Sequence, residues 1–322
     1  MNSERSNSNV FNGILLGSLV GFAFAFGGYL LLRGDQREFG WVMFLLVPFV
    51  SGFAVAAVVR RPDRILACCI TGGVLTLSIL VVTGLEGIVC AFMAAPLIAA
   101  GMALGAFIGY HVRGKFIDRS GGPGSTTTVI LLLCPFLIAA ADRVERPFRS
   151  VQQRETFTSE VMVSGTPEQA WSFLERMDHL DGAKPFLLSV GLPLPQKCEL
   201  DKAAVGGKRV CYFHNGLINQ EVTEWQRPNH MGLRITGSTL PGRHWLSFIE
   251  ASYELSSVGN QTRVVRHTTI GTRLYPRWYW RPLERWGVTS EHEYVLSNLE
   301  RWTKEARSEI QAPNPETGNA KF

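Results

Sequence analysis

The chain has 322 residues, 46% of them hydrophobic, and a formal net charge of +5. Its basic excess lies largely in loops beside apolar runs, at Arg60, Arg61 and Arg64 and again at Arg113, Lys115 and Arg119, so no nucleic-acid partner is expected. The apolar residues crowd into the first 142 positions, and the remaining residues are ordinary in polarity, which divides the chain into a membrane half and one soluble domain of roughly 150–170 residues.

Five apolar runs fill the membrane half, at residues 10–32, 41–59, 65–83, 88–110 and 126–141. A helix needs about 20 apolar residues to cross a hydrocarbon core of about 30 Å. The first four runs meet that length, and the fifth, shorter and carrying Pro135, spans only if it tilts little or the bilayer thins around it. Ala23-Phe24-Ala25 resembles a signal-peptide cleavage site, but the apolar run continues past it to Leu32, which reads as an uncleaved helix. Gly101, Gly105 and Gly109 stand four apart on one helix face and allow another helix to approach closely. No ionisable residue lies deep in any run, which argues against transport through the bundle and for an anchor or scaffold.

With five spans, the N-terminus and the loops at 60–64 and 111–119 share the more basic, cytoplasmic side, and the C-terminal domain lies outside. If the fifth run does not cross, the domain is cytoplasmic. Gly121-Gly122-Pro123-Gly124-Ser125 lacks the Lys-Ser/Thr ending of a phosphate-binding loop and reads as a linker. A second, polar linker is expected over 143–154.

The domain expected over 155–311 opens with a strand in which Phe157, Val161 and Val163 share one parity. Thr166 then supplies an N-cap, Pro167 the first helical position, and Ala170, Trp171, Phe173, Leu174 and Met177 an apolar helix face. Strands are expected at 208–215, 217–225, 230–235, 245–256 and 262–272, with Asn215-Gly216 and Gly259-Asn260 as turns. A long helix over about 281–310 aligns Val288, His292, Val295, Leu299 and Trp302 on one face. Residues 312–322 read as a disordered tail.

This order of elements resembles the helix-grip fold of the START/Bet v 1-like superfamily, with its polyketide cyclase/dehydrase and lipid-transport domains. The resemblance is carried by Val163 through Trp171, by Gly206-Gly207-Lys208-Arg209 through Asn215-Gly216, by Val222-Thr223-Glu224-Trp225 through Pro228, and by Tyr253-Glu254-Leu255 with Gly259, Thr262, Arg263 and Val264. A closer resemblance is to a membrane-linked subgroup with an Arg-x-Cys-x-Phe-x-x-Gly strand, matched by Arg209, Cys211, Phe213 and Gly216, and a Tyr-Trp before the last helix, matched by Tyr279-Trp280. Thr289 stands where that subgroup suggests a His, and Gln220 where a Glu is common. The fold class implied is an all-α transmembrane bundle followed by an α+β helix-grip domain, a curved antiparallel sheet wrapped on a long C-terminal helix. It implies a cavity for a lipid or other hydrophobic small molecule.

No nucleophile triad, paired-carboxylate motif or metal-ligand spacing is legible, and no metal or cofactor is expected. The cavity candidates are Arg209, Cys211, Phe213, Ile218, Gln220, Val222, His267, His292, Val295 and Leu299. Ile218, Gln220 and Val222 share one strand parity, which suits a single polar group in an apolar pocket. Arg209 either pairs with a ligand acid or stands exposed on the sheet. His292 either transfers protons or is a buried histidine satisfied by its neighbours. Trp278, Tyr279, Trp280 and Trp286 form either an interfacial aromatic belt or a core corner. Three functions are consistent with these residues: a membrane-anchored binding domain, a cyclase/dehydratase-type enzyme using His292 as acid/base, and a structural or sensing subunit whose cavity is filled by its own side chains. Cys198 and Cys211 lie on strands that are candidates for pairing.

Overall fold

The computed structural model describes residues 2–32, 40–59, 61–113, 125–149, 152–241 and 246–311. The stretch 121–124 and the expected tail 312–322 lie outside the described residues. The chain forms two compact units, one of residues 1–153 with 272–281 and one of 154–271 with 282–322.

The first unit is helical. It contains α1 (Asn2–Leu32), α2 (Val42–Val58), α3 (Pro62–Val82), α4 (Ile88–Val112) and α5 (Ser125–Arg149). Among the described residues, Gly13–Leu32, Pro62–Val82 and Ile88–Val112 are long and apolar enough to cross a membrane. α2 is a shorter apolar helix that opens with a π-helical turn at Val42–Leu46. At 1.5 Å per residue it is about 25 Å long.

α2 and α4 pack backbone to backbone. A Cβ built on Gly105 would stand 1.9 Å from the Phe49 carbonyl oxygen, one on Gly52 2.0 Å from that of Met102, and one on Gly101 2.7 Å from that of Leu45. The glycine face read from the sequence is therefore the face that meets α2. Ser51 adds a hydrogen bond from its hydroxyl to the Gly21 carbonyl of α1, at 2.7 Å.

Both ends of α2 are held by charged side chains from later helices. The buried Glu145 carboxylate accepts from the Trp41 N–H at 2.5 Å and the Val42 N–H at 3.3 Å. At the other end the buried Arg113 guanidinium donates to the carbonyl of Val59 at 2.8 Å. A carboxylate at the first turn and a cation at the last match the helix dipole, and they satisfy backbone groups that have no partner within the helix.

This explains one departure from the sequence reading. Residues 143–149, expected to begin a polar linker, are the last turns of α5. Their charges are used: Glu145 in the cap just described, and Arg146 in an i,i+4 pair to Asp142 at 2.9 Å.

The segment Thr272–Arg281 also belongs to this unit. It starts α8 (Arg277–Gln311) four residues earlier than the sequence suggests, on the Pro276 carbonyl, which accepts from the N–H groups of Tyr279 and Trp280. The Tyr279 hydroxyl donates to the Met93 carbonyl at 2.5 Å. The buried Trp280 ring lies 4.7 Å from that of Phe44, and its indole N–H bonds the Tyr275 carbonyl at 3.1 Å. The aromatic cluster therefore divides, with Trp280 in the core and Trp278 and Trp286 exposed.

The second unit is a curled seven-stranded antiparallel sheet with one long helix. Its strands are β1 (Gln153–Ser164), β2 (Pro195–Leu200), β3 (Lys208–Phe213), β4 (Gly216–Gln226), β5 (His230–Ser238), β6 (Leu246–Val258) and β7 (Gln261–Thr272). They stand in the order β1-β7-β6-β5-β4-β3-β2, a meander with the first strand returned to its far edge. Between β1 and β2 run α6 (Pro167–Arg176) and α7 (Phe186–Val190). α6 opens with a reciprocal capping box: the Thr166 N–H donates to Gln169 Oε1 at 3.0 Å, and the Gln169 N–H donates to Thr166 Oγ1 at 3.4 Å. The core joins Val163, Trp171, Leu174, Val222, Met231, Leu233, Tyr253 and Val264 to Tyr294, Val295, Leu296 and Leu299 of α8.

The α2–α4 contact is testable. Gly105→Ala should destabilise the full chain in detergent by about 1–3 kcal/mol, the usual scale of overpacking. Gly27→Ala, with no atom within 4 Å of its Cβ position, should not lower the unfolding temperature. Equal stability of the two variants would refute the close approach.

Candidate ligand site

The concave face of the sheet is set by strand parity. On β3 and β4, Arg209 faces Gln220 and Cys211 faces Ile218 across the ladder. On the next pair Gln220 faces Ile235 and Val222 faces Leu233, with a bulge between Asn219 and Gln220. Such a bulge re-aims the side chain beside it.

Nine of the ten residues singled out from the sequence belong to this interior. Val222, Val295 and Leu299 are buried in the apolar core, with Phe213 packed partly buried against it, and Ile218 is buried as well. Cys211 faces Cys198 of β2 in register, and the two are joined by a disulfide.

Arg209 is 2% exposed. It donates from Nη1 to Gln220 Oε1 at 3.3 Å, and from Nη2 to the Leu174 carbonyl at 3.1 Å and the Met177 sulfur at 3.4 Å. Met177 reaches it from a left-handed backbone conformation (φ 32°) that closes α6. Burial pushes the Arg209 pKa below the ordinary arginine value; Tyr253 opposes the shift and Arg266 reinforces it.

His267 is the exception. On β7 the buried alternating residues Val264, Arg266, Thr268 and Ile270 face inward, so His267 turns to the outer surface. There its Nδ1 meets the Thr158 hydroxyl at 2.9 Å, and its Nε2 lies 3.6 Å from Glu254.

His292 is fully buried, with both ring nitrogens engaged: Nδ1 with the Ser159 hydroxyl at 2.9 Å and Nε2 with the Thr268 hydroxyl at 2.7 Å. A neutral imidazole has one donor and one acceptor, so one hydroxyl donates to it and the other accepts. Burial pushes its pKa down to about 2, with Arg266 and His267 adding to the shift. Held neutral, with both ring nitrogens hydrogen-bonded, His292 bridges α8 to β1 and β7.

Sequence reasoning missed Arg266, Glu291 and Tyr253. Arg266 Nη2 lies 2.8 and 3.0 Å from the two Glu291 oxygens. Its guanidinium lies over the Tyr253 ring, 5.3 Å from the centroid. Burial works against the Arg266 charge, but Glu291 and Tyr253 outweigh it and hold its pKa above the ordinary value. The available signal was a charge on the same parity as Val264, Thr268 and Ile270.

Residues 154–302 match the family model described as polyketide cyclase / dehydrase and lipid transport. The match spans the sheet and α8 up to Trp302. The C-terminal domain is a START/Bet v 1-like domain. No curated protein matches the chain. Solved structures similar to the START-like part include norcoclaurine synthase from Thalictrum flavum, at 11% identity over 49% of this chain and 90% of that one, with a TM-score of 0.36. A START superfamily protein from Mycobacterium smegmatis is 11% identical over 47% of this chain and 98% of its own, with a TM-score of 0.35. The Aha1 protein of Colwellia psychrerythraea is 16% identical over 46% and 96%, with a TM-score of 0.29.

The state of His292 gives the START-like domain a pH signature. Its pKa is depressed on folding, so the stability it confers is complete above about pH 6.5 and is lost as pH falls toward its folded value. Between pH 6 and 5 the denaturant-derived stability of the full chain, followed by tryptophan fluorescence, should fall about 1.4 kcal/mol per pH unit more steeply than that of His292→Gln. Parallel slopes would show that His292 takes up its proton in the folded state.

Proposed function

We propose that this protein is a membrane-anchored binding protein whose START-like domain holds a lipid or other hydrophobic small molecule between its sheet and α8. The observation that carries this reading is the makeup of that interior. Ile218, Val222, Val295 and Leu299 give it apolar walls, while Arg209, Gln220 and Arg266 turn a small number of polar groups inward. Binding sites for apolar ligands have this composition, with the polar groups fixing orientation. The family match over 154–302 supports the same reading.

The anchor is the helical unit. α1, α3 and α4 have the length and composition to cross, and α2 and α5 complete a five-span path in the proposed division into a membrane domain up to about residue 142 and a START-like domain from about 155. The bonds at helix ends suit such a path. Tyr29 with Glu86, and Trp41 with Glu145, join ends on one side, while Arg113 with Val59 joins ends on the other. In that arrangement the basic loops lie in the cytoplasm and the START-like domain outside. The Cys198–Cys211 disulfide favours the same side, because such bonds persist in oxidising compartments.

Native mass spectrometry of the full chain released from nanodiscs should show a co-purified hydrophobic molecule. Val295→Trp should abolish uptake of a fluorescent lipid analogue with the circular dichroism spectrum retained. A native protein that carries nothing and takes up nothing would sink the binding reading. For sidedness, a C-terminal alkaline phosphatase fusion should be active outside the cytoplasm. Activity only of a cytoplasmic reporter would reverse the orientation.

A further inference from the structure

Around β3 and β7 the interior of the START-like domain holds two buried guanidinium groups and one carboxylate paired with them. Arg209 and Arg266 are both buried, at 2% and 8% exposure. Glu291 is the carboxylate paired with either of them, and both its oxygens are committed to Arg266. The groups that accept from Arg209 are uncharged: an amide oxygen, a backbone carbonyl, a thioether and the Tyr253 side chain.

Donors remain over. Arg209 Nε, Arg266 Nε and Arg266 Nη1 are buried and have no hydrogen-bond acceptor. Tyr253 connects the two sites, with Arg266 stacked over its ring and its side chain hydrogen-bonded to Arg209. Because Gln220 Oε1 accepts from Arg209, its amide N–H₂ is left as a further donor beside them. Guanidinium groups removed from water and left without an anion are costly, and their planar donor forks match carboxylate and phosphate oxygens.

We propose that the ligand is an amphiphilic acid, whose carboxylate or phosphate is held by Arg209 and Arg266 and whose apolar body lies along Val222, Val295 and Leu299. This rests on the hydrophobic-ligand reading above and narrows it to acids. A neutral ester, alcohol or sterol fills the same apolar volume and can accept a hydrogen bond, but it leaves the charge of the guanidinium groups unbalanced. Gln220 fits the assignment, since an ionised carboxylate at that position would compete with the ligand for Arg209.

The test uses the full chain in phosphatidylcholine nanodiscs, with protein-free discs as the blank. The probes are 12-(9-anthroyloxy)stearic acid and its methyl ester, titrated by fluorescence. The acid should bind at least about tenfold more tightly than the ester, the scale of one charge-assisted hydrogen bond. Arg209→Gln should bring the two affinities within about twofold of each other by weakening the acid alone. The acid-to-ester ratio is read on the unaltered protein, so it decides the question even where the variant does not fold.

Competition by unlabelled oleate and by oleoyl lysophosphatidic acid then tells carboxylate from phosphate, and stronger displacement by either supports the proposal. Equal binding of acid and ester, or equal displacement by oleyl alcohol, would overturn it and leave the hydrophobic-ligand reading standing. Binding of neither probe would remove that reading, and the proposal with it.

Discussion

The START-like domain depends on one constraint: a long helix laid in the hollow of a sheet must bury its apolar stripe, and every polar group buried with it must find a partner. α8 meets the constraint by binding to nearly everything around it. His292 ties it to β1 and β7 through two hydroxyls, and Glu291 ties it to β7 through Arg266. Lower on the same helix, Tyr294 donates its hydroxyl to the Leu180 carbonyl at 2.8 Å, and Asn298 Oδ1 accepts from the Gly182 N–H at 2.9 Å. These bonds fasten the connection between α6 and α7, and that connection leads the chain across to β2 at the far edge of the sheet.

The polar groups of the interior are therefore of two kinds at similar depth. His292, Tyr294 and Asn298 are neutral and satisfied, and their effect is to fix elements in place. Arg209 and Arg266 are charged and retain donors without acceptors. The first kind accounts for a rigid frame. Of the second kind, Arg209 bonds β4 and the end of α6 rather than α8, and an apolar side chain of similar volume would pack in its place without the desolvation cost.

Most of the fold was legible because its signals are local. Alternation marked the strands, Asn215-Gly216 and Gly259-Asn260 marked turns, and Thr166-Pro167 marked a helix start that the structure closes with a capping box. The inner parity of β3 and β4 was legible too, since Ile218 and Val222 bracket Gln220. β7 was not, because Val264-Val265, Arg266-His267 and Thr268-Thr269 offer a similar residue on each parity, and the choice between faces is made by packing against α8. On that ambiguity His267 reads as inward, and Arg266 does not stand out because an arginine in a strand ordinarily reads as surface. The turns of α5 beyond Asp142 were hidden for a related reason: a polar stretch looks like a linker until the backbone groups it caps, a hundred residues earlier, are known.

That last feature bears on how the helical unit is made. Glu145 lies 103 residues downstream of Val42, whose N–H it accepts, and Arg113 lies 54 residues downstream of Val59. α2 is thus synthesised second and completed last. While the ribosome is still adding α3 and α4, the first turn of α2 has no carboxylate and its last turn no guanidinium, so those backbone groups wait for their partners. The capping of the first turn of α2 therefore waits on the arrival of α5.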